Sequence, residues 1–322
     1  MELFKTVFLM VALMLVFIFV GNALGGSGGM VVAFLMACGM NFFAYFFSSS
    51  LVLKHYHAEP LNSSHRLYKL LSKLTTSANL PMPQLYLIND QAPNAFATGR
   101  NHSNAVVAVT SGLVESMNDE QIAAVIAHEL GHIRHYDILT GSIAAVFAGG
   151  ISMLANIFQF GALFSNNQQR GNLLFNIALV VVMPIVATVI QLGISRSREY
   201  AADEFAARLT NPLWLKSALL TLQNASGRGV KDADEASAHL FITSPFSSKS
   251  TFASLFSTHP SIQNRIQRLE ILAKEGVKGS FSASFMTNPY NFSPKSHSQI
   301  TKNKPSSEPK KPSRTAKEYF NK

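Results

Sequence analysis

His128-Glu129-Leu130-Gly131-His132 is the stretch on which the reading of this chain turns, an H-E-x-x-H set among apolar residues at helical spacing. Just upstream, Asn118 is an N-cap with Gln121 three residues on, and Ile122, Val125, Ile126, Leu130 and Ile133 keep the helical period, so the motif lies on a helix. Histidines at i and i+4 share one helix face with Cβ atoms about 5–6 Å apart, so two ring nitrogens can reach one zinc ion at about 2.0–2.1 Å. Glu129 lies about 100° around the helix from His128. It is the candidate general base for a water activated by that ion. Ten histidines and twelve glutamates in 322 residues give this pattern roughly 0.01 times in a random chain. Surface histidines on an ordinary helix are a poor account of it.

A catalytic zinc needs a third protein ligand and an open fourth position. A metzincin-type third histidine is excluded, because His135 and Ile138 stand where that pattern requires glycine and histidine. The candidate lies in Ser197-Arg198-Glu199-Tyr200-Ala201-Ala202-Asp203. There Glu199 can ligate, and Asp203, one turn on, can accept the outer N–H of a ligand histidine. The competing reading pairs both carboxylates with Arg196, Arg198 or Arg208. Cys38 is the only cysteine, so a disulfide framework and a cysteine zinc finger are both excluded.

Only 14% of residues are charged, 48% are hydrophobic and mean hydropathy is +0.17, whereas typical soluble domains are about 25% charged. This excludes a simple soluble enzyme and a largely disordered chain. Four apolar segments, 7–24, 30–53, 138–164 and 173–194, approach or exceed the length that crosses about 30 Å of hydrocarbon. The first two, separated by Gly25-Gly26-Ser27-Gly28-Gly29, read as a helical hairpin rather than as a cleaved signal peptide, because a second span follows at once. The second pair is less lipid-like, carrying Gly149, Gly150, Gln159 and Pro184. Lys54, Arg66, Lys69 and Lys73 follow the second span and Arg196 and Arg198 follow the fourth, which places those parts in the cytoplasm against the single dissent of Arg170. The second hairpin then returns the chain to the membrane face it left, where His128, His132 and Glu199 can converge.

The net charge of +9 does not point to nucleic acid, because most of the excess is in residues 293–322, a Ser-, Pro- and Lys-rich tail. That tail reads as disordered, either solvated or resting weakly on anionic lipid. Residues 59–76 read as an amphipathic helix through Leu67, Leu70, Leu71 and Leu74. Short β-branched and apolar runs at 85–88, 94–98 and 105–109 read as a small antiparallel sheet.

Taken together, Asn94-Ala95-Phe96-Ala97-Thr98-Gly99, the His128 motif, Ser197 to Asp203, His239-Leu240-Phe241 and Phe256-Ser257-Thr258-His259-Pro260 resemble the HtpX-type membrane zinc peptidases, relatives of the prenyl-protein CAAX peptidases. The resemblance covers about residues 61–272 and leaves only the C-terminal tail without a counterpart. It implies an α+β, mainly α-helical integral membrane protein with four transmembrane helices and a cytoplasmic gluzincin-type zinc peptidase domain. The domains implied are a hairpin at 1–58, a peptidase domain at 59–292 interrupted by the second hairpin, and the tail at 293–322.

The resemblance also implies one zinc per subunit on His128, His132 and Glu199, with Glu129 as general base and proton donor. Asn94, Ala95 and Phe96 would hold an extended substrate by β-augmentation, against the plainer reading of an ordinary hairpin strand. Two readings stand for His259 and Arg265: donors to the oxyanion or the substrate backbone, or a helix start at His259-Pro260 with Arg265 on the solvated face of 263–272. The function implied is an endopeptidase at the bacterial inner membrane, in membrane-protein quality control. Its partners would be polypeptide substrates, chiefly membrane proteins, and the bilayer. The alternative is a non-proteolytic membrane adaptor with a structural metal. Glu129 speaks against that, because a structural site needs no base beside an open metal position.

Overall fold

A computed structural model describes residues 2–143, 196–225, 260–279 and 281. Beyond residue 143, the spans expected at 138–164 and 173–194 lie outside the described residues, as do His239-Leu240-Phe241, Phe256 to His259 and the tail at 293–322.

The N-terminal helix α1 (Glu2–His55) is broken at Gly25 (φ −142°) and Gly26 (φ 58°, ψ −147°). The positive φ at Gly26 is one that side-chain-bearing residues avoid. The two arms fold against each other, and glycine permits the close approach: a Cβ on Gly21 would meet Ala33 Cβ at 2.4 Å and the Gly29 carbonyl at 2.5 Å. Farther from the turn, the Asn41 side-chain amide donates to the Met10 carbonyl (3.4 Å). The second arm, Gly25–His55, is the one helix among the described residues long and apolar enough to cross a membrane, with 31 residues and a hydropathy of 1.9. The first arm carries a shorter apolar helix, Thr6–Phe19. Phe4, Phe8, Phe19, Phe42 and Phe43 are exposed on the hairpin, an apolar surface suited to lipid. Residues 137–143 are helical and lie against this hairpin. Leu139 and Ile143 pack on Leu13 and Ala44, and Thr140 Oγ1 hydrogen-bonds Thr6 Oγ1 at 2.8 Å.

The helix expected from residue 59 starts later. Glu59–Pro60 forms a short edge strand, β1, where the missing N–H of proline is tolerated. Ser64 N–H and its hydroxyl turn back onto Asn62 Oδ1, and only then does α2 (Arg66–Ala78) begin, with His65 Nδ1 accepting from the Leu67 N–H. Leu67, Leu70, Leu71 and Leu74 are all fully buried.

The sheet is mixed, not antiparallel as expected. Strands β2 (Gln84–Ile88), β3 (Ala95–Gly99) and β4 (Ala105–Thr110) join β1 in the order β1-β2-β4-β3. β4 pairs antiparallel with β3 and parallel with β2. Every residue of β4 is buried, and so apolar a run is most stable with a partner on both sides. The β3–β4 hairpin therefore inserts β4 at the centre and leaves β3 at the rim.

After a one-turn helix, α3 (Ser111–Ser116), the central helix α4 (Asp119–Arg134) opens with the expected capping box. Gln121 N–H donates to Asn118 Oδ1 (2.9 Å) and Asn118 N–H to Gln121 Oε1 (3.0 Å). From Ile122 to Leu130 its side chains are buried all round, which makes α4 the core. It packs on β3, α2, α5 (Arg196–Leu209) and α6 (Pro212–Ala225). The last described helix, α7 (Ile262–Lys274), docks on α6 through Lys216–Glu270 (2.6 Å) and on α5 through the Arg268 guanidinium over the Tyr200 ring (4.4 Å).

The tightest contact of α4 with α5 falls within the H-E-x-x-H itself. A Cβ on Gly131 would lie 2.9 Å from Ala202 Cα and 3.1 Å from its Cβ, so the helices meet backbone to backbone there. Gly131→Ala should lower the thermal midpoint of the detergent-purified protein. An overpacked contact costs about 1–3 kcal/mol, more than the helix propensity of up to about 1 kcal/mol that alanine restores. An unchanged or raised midpoint would refute this close packing.

Candidate active site

Four pieces of chain meet at one buried point. α4 supplies His128, Glu129 and His132, α5 supplies Glu199 and Asp203, α7 supplies Arg265, and the turn after α4 supplies Asp137. His128 Nε2 and His132 Nε2 are 3.2 Å apart. Glu199 Oε1 is 3.4 Å from His132 Nε2, and Oε2 is 3.8 Å from His128 Nε2. These three residues are a group that could hold a metal ion. Ligand atoms around a tetrahedral ion with bonds of about 2.0–2.1 Å lie about 3.3–3.4 Å from one another; the two imidazole nitrogens stand near that spacing and Glu199 turns one oxygen toward each of them.

The outer ring nitrogens are held as well. Asp203 Oδ1 lies 3.0 Å from His128 Nδ1, and Asp137 Oδ2 lies 3.1 Å from His132 Nδ1. A carboxylate on Nδ1 keeps the proton there and turns Nε2, with its lone pair, to the common centre. The sequence reading missed Asp137. α4 ends at Arg134, Tyr136 takes a left-handed φ of 62°, and the chain turns so that Asp137 reaches back to His132. The signal was an unassigned Nδ1 on the second histidine with an acid five residues on. Arg198 Nη1 donates to the other oxygen of Asp137 (3.3 Å).

Arg265 is 1% exposed and does not lie on a solvated helix face. Its Nε donates to Asp203 Oδ2 (2.8 Å) and its Nη2 to Asp203 Oδ1 (2.6 Å), while Nη1 is 3.3 Å from Glu199 Oε2. This is the two-pronged geometry that guanidinium makes with carboxylate. Arg265 is thus a cation that Glu199 and Asp203 share, and Arg208 pairs with Glu204. Asn94 is 2% and Phe96 0% exposed. Phe96 points away from the site into a cluster with Val52, Tyr56 and Ile88, while Ala97, on the opposite face of β3, presents its amide to Glu129. His259 lies outside the described residues.

Electrostatics test the fit of a metal. Burial pushes the Glu129 carboxyl up to about 7; Glu199 adds to this, while His132, the Ala97 amide and Arg265 oppose it. Burial and Arg265 hold His128 below the ordinary imidazole range against the pull of Asp203. Burial would lower His132 too, but Asp137 and Glu199 overcome it and hold that ring well above the ordinary value. Four acids, Glu129, Asp137, Glu199 and Asp203, are buried here beside two guanidiniums, Arg198 and Arg265. Buried charge is costly unless balanced. A divalent cation at the three ligands would offset part of this buried negative charge, and it competes with protons for the same nitrogen atoms.

Known proteins resemble the chain over most of its length. Residues 62–273 match the family described as Peptidase family M48. The "Protease HtpX homolog" of Campylobacter concisus (strain 13826) is 55% identical over 287 residues, covering 87% of this chain and all of that one. The "Protease HtpX" of Legionella pneumophila (strain Corby) is 45% identical, covering 83% of this chain and 98% of its own. A crystal structure of S. mikatae Ste24p aligns with 84% of the chain and 65% of that protein, at 20% identity and a TM-score of 0.47.

The geometry orders the effects of substitution on bound metal. Glu199→Ala removes a ligand atom from the triangle and should lose most of the metal. Asp203→Ala and Asp137→Ala remove only the groups that orient His128 and His132 and should weaken binding about 10- to 100-fold. Metal stoichiometry by elemental mass spectrometry, read with circular dichroism to check the fold, decides this; wild-type metal content in folded Glu199→Ala would place the third ligand elsewhere.

Proposed function

The chain belongs to peptidase family M48 and is a membrane-anchored metallopeptidase, and on that premise we propose a zinc endopeptidase that cuts exposed segments of membrane and misfolded proteins at the cytoplasmic face of a bacterial inner membrane. The observation that carries the reading is the convergence of His128, His132 and Glu199 with Glu129 beside them, all in one buried cluster.

In this reading His128, His132 and Glu199 hold one zinc ion per subunit. Zinc supplies a Lewis acid that lowers the pKa of water and polarises a carbonyl oxygen. Asp203 and Asp137 keep the imidazole tautomers fixed, and Arg265 keeps Asp203 and Glu199 in register. Glu129 accepts the proton of the attacking water and returns it to the leaving amine nitrogen. Burial raises this carboxyl above the ordinary carboxylate range, the direction that lets one group both take and return a proton near neutral pH. β3, at the rim of the sheet, takes an extended substrate as a further strand, with the amide of Ala97 next to Glu129.

The domain reading is an N-terminal transmembrane hairpin at 1–58, a peptidase domain at 59–292 interrupted by a second hairpin at about 138–194, and a basic tail at 293–322. The folded-back arms of α1 support the first hairpin. The second gains support from residues 137–143 lying against it. With four spans, the basic residues after the second and fourth keep the peptidase domain in the cytoplasm.

Glu129→Gln should abolish hydrolysis while bound zinc is retained, because the amide keeps the shape of the side chain but accepts no proton. Casein cleavage and zinc content measured on one detergent-purified preparation check this, and full activity would remove Glu129 from its role. For topology, reporter fusions after Lys73, Arg170 and Lys322 should read inside, outside and inside. An outside signal at Lys73 would invert the orientation.

A further inference from the structure

One construction holds both imidazoles. Asp203 Oδ1 lies 3.0 Å from His128 Nδ1, and Arg265 grips Asp203 through two nitrogen atoms, at 2.8 and 2.6 Å. Asp137 Oδ2 lies 3.1 Å from His132 Nδ1, and Arg198 Nη1 donates to Asp137 Oδ1 at 3.3 Å. In each case a carboxylate faces the ring and a buried guanidinium holds the carboxylate.

His132 needs the support more than His128 does. The His128 side chain is 1% exposed and that of His132 17%, so packing constrains the second ring less. Asp137 is not part of α4: His135 and Tyr136 separate it from the last residue of that helix, so the α4 backbone does not fix where its carboxylate points. Arg198 supplies that constraint from α5. By donating to the oxygen that does not face His132, it leaves the other oxygen turned to the ring. A buried ion pair seldom adds net stability, because desolvation offsets the attraction. Orientation is therefore the better account of a guanidinium buried here.

The place of the pair in the chain adds to this. Asp137 immediately precedes the apolar segment 138–164 and Arg198 follows the segment 173–194, so the contact joins residues 61 apart. Arg198 is also the neighbour of Glu199 in sequence. One turn of α5 thus offers the third ligand directly and holds the second histidine through Asp137.

We propose that Arg198 is a positioning residue of the metal site, which fixes His132 through Asp137 and so ties both ends of the 138–194 segment to the bound ion. This rests on the assignment of His128, His132 and Glu199 as ligands and extends it to a residue that touches neither metal nor substrate. Without Arg198 all three ligands remain, but Asp137 no longer keeps the His132 ring in place.

The test is zinc affinity, measured by chelator competition on the detergent-purified full chain. Visible absorption of the cobalt(II)-substituted protein reports ligand geometry, and circular dichroism checks the fold. Arg198→Met, of similar length but without a donor, should weaken zinc about tenfold, the lower end of what outer partners of ligand histidines cost, and should change the cobalt spectrum as Asp137→Ala does. Added to Asp137→Ala, Arg198→Met should cost nothing further, because the arginine acts through that acid. Arg198→Lys, whose ammonium can still donate to Asp137, should recover most of the affinity. Arg208→Ala, on the same helix but paired with Glu204 at the surface, should match the wild type. Wild-type affinity in folded Arg198→Met, additive losses in the pair, a lysine variant no better than methionine, or an equal loss in Arg208→Ala would overturn the role of Arg198 and leave the metal site standing. A wild type that binds no zinc would overturn the ligand assignment, and this proposal with it. Should Arg198→Met alone fail to fold, the pair with Asp137→Ala, in which neither charge is left without its partner, is compared with Asp137→Ala: equal affinity is expected, and a further loss overturns the proposal.

Discussion

Gly131 and Ala202 bring two helix backbones into contact, and the distances from the α5 carboxylates to the α4 histidines depend on that approach. A side chain at 131 would push α4 and α5 apart, and Glu199, now 3.4–3.8 Å from the two histidines, would move away from them. The absence of a Cβ is thus a property of the site as much as of the core. It also explains why α4 carries buried residues on all sides: the helix is wedged between the sheet on one flank and α5 and α6 on the other.

Close packing alone would leave a costly arrangement, since acids outnumber guanidiniums in the cluster. The chain meets this with directed pairs rather than solvent. Arg265 binds Asp203 through two nitrogen atoms, Asp203 holds His128, and Arg198 and His132 share Asp137. Asp203 and Asp137 are thereby partnered, and the pairs together fix the rings whose Nε2 atoms face the centre. A divalent cation there would offset part of the remaining buried negative charge.

β3 and the candidate metal site are linked through the short segment that leaves α4. The left-handed Tyr136 redirects the chain, Asp137 turns back to His132, and farther on Ser142 accepts the Gly99 N–H of β3. The same segment lies on the apolar hairpin of α1 through Leu139, Thr140 and Ile143.

Periodicity and spacing were enough to identify α4, its capping box, His128, Glu129 and His132, because each rests on interactions within about one helical turn. The break at Gly25-Gly26 and the membrane character of α1 were legible for the same reason, as properties of local composition. Long-range choices were not. The parallel pairing of β2 with β4 depends on which strand gains most from two neighbours, and the late start of α2 on a turn about Asn62 that helical periodicity hides. For Arg265 the sequence left a donor to substrate and a place on the solvated face of an amphipathic helix both open, and α7 turns it inward to Asp203 and Glu199 across more than sixty residues of sequence. The sequence by itself determined which side chains could bind a metal and move a proton. Tertiary structure decided which acid and which guanidinium would orient them, since a carboxylate selects its partner by distance in space, and that distance is set by how closely two helix backbones approach.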